Sequence, residues 1–148
     1  MPIEYQHAEP ARATPERAFA AIDNLPLTAK WLPDCVSLEK LDPGPTAVGH
    51  RLRYVYRQGG KEGEMAGEVV ARVPGERLHC MYRDAMFDVS VDMRIERTAE
   101  GVLMHHLMAI TPKSLAGRLM SPLISLGIGK RTRAAAANLR QLIEAAAA

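Results

Sequence analysis

Three groups of residues in this 148-residue chain carry side chains able to hold or move a proton. Tyr54 and Tyr56 share one face of an alternating segment with His50 and Leu52, while Arg51, Arg53 and Arg57 occupy the other. The phenols therefore point toward an interior and the guanidinium groups toward water. A phenol in an apolar interior can donate a hydrogen bond to a ligand carbonyl or act as a general acid. It can equally be packing, its hydroxyl satisfied by backbone or water. The second group is His105 and His106. Adjacent strand residues face opposite sides of a sheet, so one metal ion does not reach both, and no metal site is expected. A two-residue turn within Ala99-Glu100-Gly101 sets Met104, His106 and Met108 opposite Ile95, Met93 and Val91 and turns His106 inward; a three-residue turn favours His105. Of the two we favour His106 inside, as an acid or base near neutral pH or as a satisfied core histidine. The third group is Asp88 and Asp92, which share a face with Arg94 and Glu96 and are expected to form a solvated charge ladder rather than a catalytic pair.

The elements that must position these groups can be read from periodicity. Ile3, Tyr5 and His7 alternate with polar neighbours, as in a half-buried strand. Thr14 can cap a short helix with Pro15 at its first position and Ala18, Phe19 and Ile22 on one face, ending near Asp23-Asn24. Pro26 opens a second short helix that brings Trp31 to the end of the sheet, and Pro33 stops it. Strand-like segments follow at Val36 to Leu41, Val48 to Tyr56, Glu62 to Val73, Arg77 to Arg83, Met86 to Glu96 and Val102 to Ile110. Their turns fall at Pro43-Gly44-Pro45, Gly59-Gly60, Pro74-Gly75 and Ala99-Glu100-Gly101. In the fifth segment Phe87, Val89, Val91, Met93 and Ile95 take a dry face. In the third, Gly67 falls on the inner face beside Met65 and Val69, where a missing side chain is expected to leave room for a ligand. From Lys113 onward the spacing is helical, with Leu115, Leu119 and Leu123 four apart and Leu139, Leu142 and Ile143 later. Pro122, Gly127 and Gly129 predict a kink or break between Ser121 and Gly129.

Composition bounds the function. A chain of this length fits one domain, residues 1–148, and 47% hydrophobic with 24% charged residues and a net charge of +2 suits an ordinary folded protein. The arginines at 51, 53 and 57 face Glu62, Glu64 and Glu68, and aromatics are few, so nucleic-acid binding is not expected. Cys35 and Cys80 form no metal-binding or disulfide pattern. With no basic, apolar leader at the N-terminus, a cytoplasmic location is expected. The apolar stretch Leu115 to Ile128, flanked by Lys113, Arg118, Lys130, Arg131 and Arg133, is too interrupted to span a membrane. It suits a lid over a pocket, with contact to a membrane surface as the lesser alternative.

The whole chain resembles the START-like helix-grip superfamily, also called SRPBCC, and within it the polyketide cyclase/dehydrase-like branch. The residues that carry the resemblance are Thr14 to Phe19, Asp23, Trp31 with Pro33 and Val36, Val48-Gly49, Gly67-Glu68-Val69, Pro74 to Leu78, Glu100-Gly101 and the terminal helix. It implies an α+β fold in which a curved seven-stranded antiparallel sheet wraps a long C-terminal helix, with two short helices after strand one. It also implies a cavity for lipids, polyketides or other apolar molecules, and no universal catalytic residue. Pro122 with its nearby glycines and the pair His105-His106 depart from the usual pattern of that branch.

Together these readings predict a binder of a small apolar or amphipathic ligand, held by Trp31, Leu52, Tyr54, Tyr56, Met65, Phe87, Val89, Val91, His106, Leu119 and Leu123. The alternative is a cyclase or dehydratase, without metal or other cofactor, in which Tyr54, Tyr56 or His106 moves a proton. A third is a regulatory module whose sheet surface meets another protein. The chain is expected to be a monomer or homodimer.

Overall fold

The structure, a computed structural model, describes residues 2–58 and 60–147, with side-chain environments as far as residue 145. Gly59 lies outside the described residues, so the expected Gly59-Gly60 turn is seen only at Gly60, whose φ of +79° suits glycine. In chain order come β1 (Ile3–Ala11), α1 (Pro15–Asp23), a 3-10 turn (Leu25–Leu27), α2 (Thr28–Trp31), β2 (Cys35–Lys40), β3 (Arg51–Gln58), β4 (Lys61–Val73), β5 (Arg77–Arg83), β6 (Phe87–Thr98), β7 (Gly101–Pro112) and α3 (Leu115–Ala147). This is the α+β arrangement expected.

The strands form one antiparallel sheet in the order β1-β7-β6-β5-β4-β3-β2. The strand nearest the start of the chain thus zips onto the last one, from Ile3 opposite Ile110 to Ala11 opposite Val102. Thr98 pairs with Gly101, so β6 and β7 are joined by the two-residue form of the turn, and Met93 lies opposite His106. The extra residues at Val36 and Val70, where the registers of β2 and β4 shift, bend those strands and help curve the sheet.

The short helices close one end. The Thr14 hydroxyl accepts the Arg17 backbone N–H at 3.2 Å and Pro15 begins α1, which buries Ala18, Phe19 and Ile22. At its far end Asp23 accepts two hydrogen bonds from Arg72, at 3.0 and 2.8 Å, while that guanidinium lies over the Phe19 ring. The core runs from these helices through Leu52, Val69 and Met104 to Leu139 and Ile143 of α3.

Two expectations are corrected here. α3 is continuous for 33 residues, with Pro122 inside it, so of the expected kink or break between Ser121 and Gly129 the break is excluded. Proline at this position leaves the Arg118 carbonyl without its helical donor, but this turn faces water, which can supply one. One residue earlier, the Ser121 hydroxyl donates to the Gly117 carbonyl at 3.1 Å. Packing of the later turns then carries the helix through. The second correction concerns Asp92, which is buried rather than solvated. It accepts two hydrogen bonds from Arg77, at 3.0 and 2.9 Å, and another from Arg94 at 3.0 Å. Burial alone would push its carboxyl up; the two arginines outweigh that and hold it below the usual range. The remaining outer charges pair across strands as expected at Arg53–Glu64 and Arg57–Glu62, although Arg51 turns to Asp42 instead of Glu68.

Candidate binding site

Between the concave face of the sheet and α3 lies a cavity of about 510 Å³. That is within the range of small-molecule sites. Its walls come from alternate residues of the middle strands: Tyr54 and Tyr56 of β3, Met65 of β4, Leu78, Cys80 and Tyr82 of β5, Phe87, Val89, Val91 and Met93 of β6, and His106, Met108 and Ile110 of β7. Trp31 and Leu25 wall the end made by the short helices, and Met120, Ile124, Ile128 and Ala135 of α3 cover the top.

Of the residues singled out from sequence, Trp31, Tyr54, Tyr56, Met65, Phe87, Val89, Val91 and His106 line this space, and Leu123 stands at its rim. Leu52 does not. It is fully buried in the core, where its Cβ abuts Gly67. Leu119 does not either, being 73% exposed and turned about 100° around the helix from Met120. The four-residue spacing of Leu115, Leu119 and Leu123 marks a real helical stripe, but the inward stripe is Met120, Ile124, Gly127 and Ile128. Residues one apart differ by about 100° around a helix. This stretch is apolar on several faces, so spacing alone does not choose among them.

Tyr82 is a wall residue that sequence reasoning misses. It lies opposite Gly67 in the β4–β5 register, and a Cβ on Gly67 would stand 2.7 Å from the Tyr82 ring. The glycine therefore makes room for a tyrosine and not, as expected from sequence, for the ligand. The inward glycine is the available signal; finding its occupant needs the strand register. Tyr82 packs at 5.5 Å from Tyr54, which stacks at 5.6 Å on Tyr56, so three phenol rings line one wall.

The electrostatics of the cavity favour neutral groups. Burial pushes the Tyr54 and Tyr82 phenols well above the ordinary tyrosine value, so both remain protonated donors at neutral pH. Burial likewise raises the Cys80 thiol to about 12, which leaves it an unreactive wall atom. His106 is 3% exposed, and burial, with the neighbouring His7 and His105, drops its pKa to about 4. It is a neutral imidazole at pH 7, and His105 is the outer one, pairing with Glu96 at 2.9 Å. Two buried polar atoms of residues in the cavity walls, Trp31 Nε1 and His106 Nε2, have no hydrogen-bond partner among the described residues. Leaving such atoms unpaired costs about 1–3 kcal/mol each, and both are sealed from the open space of the cavity by their neighbours. Among the described residues no three of His, Cys, Asp and Glu converge as a metal site would require, and no helix is long and apolar enough to cross a membrane.

The model of a family described as polyketide cyclase/dehydrase and lipid transport matches residues 3–144. No curated protein matches. Among solved structures, TTHA0849 from Thermus thermophilus superposes with a TM-score of 0.78 at 16% identity over the whole of both chains. Zhui aromatase/cyclase from Streptomyces sp. R1128 does so with a TM-score of 0.81 at 11% identity, over 97% of this chain and 94% of that one. SA2116 from Staphylococcus aureus, a protein of unknown function, gives 0.77 at 13% identity, over 99% and 96%. At such identities the likeness speaks to the fold.

Proposed function

Because the chain belongs to the polyketide cyclase/dehydrase and lipid-transport family, we propose that it binds a small apolar or amphipathic molecule in the cavity between sheet and helix. The observation that carries this is a roomy, mostly apolar cavity with the Tyr54 and Tyr56 phenols on its wall. Apolar burial supplies affinity at roughly 25 cal/mol per Å². The Tyr54 and Tyr56 hydroxyls donate to a ligand carbonyl or hydroxyl, which orients the molecule. Leu123, Asp34 and Arg131 surround the rim, where a polar end of the ligand reaches water. Native mass spectrometry of the purified protein is expected to show a co-purifying organic molecule, displaced in proportion by a dye that fills the cavity. Repeated empty preparations that also fail to bind the dye overturn the proposal.

One observation favours a second reading, in which the cavity folds a reactive ketide and moves its protons. The Tyr54 and Tyr56 hydroxyls have no hydrogen-bond partner among the described residues, and both line the cavity from β3, while the neutral His106 imidazole lines it from β7, four strands away. Tyr54 or Tyr56 then donates to a ketide carbonyl at the β3 wall and polarises it, or His106, on the β7 side of the cavity, exchanges a proton with a ligand oxygen there. Positioned groups of this kind contribute about 10²–10⁴ in rate. Tyr54→Phe, Tyr56→Phe and His106→Ala are expected to reduce turnover of a poly-β-keto substrate by about that factor while dye binding persists. Unchanged rates in all three remove this reading.

A further inference from the structure

The first turns of α3 present an apolar stripe to water. Leu115, Leu119, Leu123 and Leu126 are between 72% and 82% exposed. At 3.6 residues per turn they fall within an arc of about 80°, along about 17 Å of helix. Ordinary surfaces scatter such residues singly; a contiguous row marks a contact surface. Met120 and Leu123 belong both to this exposed surface and to the cavity wall, so the row begins at the cavity mouth.

The charges around it are of one sign. From Leu115 to Ile143 the helix carries Arg118, Lys130, Arg131, Arg133 and Arg140 and no acidic residue. Arg118 and Lys130 flank the leucines with no ion-pair partner among the described residues. The nearby acids are already engaged: Asp88 with Lys113 at 3.0 Å, and Asp84 with the Met86 and Phe87 backbone N–H groups at 2.8 Å.

We infer that this half of α3 is a docking surface for an anionic lipid bilayer, laying the cavity mouth on the membrane. The leucines enter the acyl boundary, and Arg118 and Lys130 meet anionic headgroups. A second copy of the chain is a poorer occupant. A twofold interface sets a patch against itself, which would bring the cations of both copies together with no acid between them. The inference rests on the binding proposal only for what then enters the cavity, not for attachment to the bilayer.

The test is co-sedimentation of the full chain with vesicles, alongside binding of anilinonaphthalene sulfonate as a separate measure of the cavity. Binding to mixed phosphatidylcholine–phosphatidylglycerol vesicles is expected, weakening as salt rises and falling well below that level on pure phosphatidylcholine. Leu115→Ser with Leu126→Ser, or Arg118→Glu with Lys130→Glu, is expected to lower partitioning at least about tenfold while dye affinity stays unchanged. Neither leucine lines the cavity or packs in the core, so folding is spared. Failure to bind the mixed vesicles, equal binding to pure phosphatidylcholine, or unchanged binding by both variants overturns the inference. So does a concentration-dependent dimer that the serine variant abolishes, since a second copy then covers the stripe. Vesicle binding without dye binding upholds the inference and counts against the cavity proposal.

Discussion

The two halves of α3 are built from similar residues and meet opposite fates. Leu119, in the first half, is 73% exposed; Leu139, five and a half turns later, is completely buried. In the second half Thr132, Ala135, Ala136, Leu139 and Ile143 lie against the sheet and the short helices, and the alanines let the backbone approach closely. In the first half the sheet is held off by the cavity, and the helix covers a hollow instead of a core. One helix thus serves as both anchor and roof, and the boundary falls near Ile128, where burial becomes continuous.

The strongest way to break this contrast is truncation on each side of the boundary. Leu139→Ala is expected to cost about 2–5 kcal/mol in denaturant unfolding. Leu119→Ala should stay within about 0.5 kcal/mol. Equal costs would mean that the first half is as much a part of the core as the second.

Next in size is a pH effect at the cavity floor. His106 is held neutral, with a pKa of about 4, by burial first and then by His7 and His105. The unfolded chain, titrating near the ordinary value of about 6.5, therefore binds the extra proton over the intervening range. The associated stability is whole above about pH 6.5 and is lost as pH falls through about 4, for a total on the order of 3 kcal/mol. His106→Leu should remove that component, seen as a shallower loss of stability between neutral and acid pH. An identical slope in the variant would show that the ring is not held neutral by its surroundings.

Pro122→Ala restores a helical donor worth up to about 3 kcal/mol locally. Because the roof packs little, the gain should appear as slower hydrogen exchange in residues 115–127 with almost no change in Tm. The smallest effect is expected at Gly127, where an added Cβ meets nothing within 4 Å. Gly127→Ala should stabilise by about 0.5–1 kcal/mol through helix propensity. Gly127→Leu should weaken dye binding by occupying the cavity, leaving the fold intact.

Much of this is legible in the chain itself. The strict alternation from Phe87 to Ile95 leaves the choice between His105 and His106 to the length of the turn, and the two-residue turn found puts His106 inside. Strand pairs of that kind couple side-chain direction to sequence number with period two, so one correct turn settles a whole face. A helix offers no such lock where it is apolar on several sides. Spacing therefore points Leu119 at the cavity when its neighbour Met120 holds that place. Pro122 overstates the case for a break for a related reason: its cost is local, whereas the continuity of α3 is decided by turns packed well beyond it. Tyr82 and Asp92 are hidden because both depend on what faces them across the sheet. Gly67 admits the first, and Arg77 neutralises the second.

The pairing of β1 with β7 has a consequence for how the molecule is made. On the ribosome the segment Ile3–Ala11 must wait, its donors and acceptors open, until Gly101–Pro112 has emerged to receive it. The contacts of Arg12 with Glu144 and of Arg140 with Glu9 close later still. So many distant partners place the chain among slow-folding topologies. During synthesis the waiting strand is the region most open to mispairing with a neighbouring nascent chain.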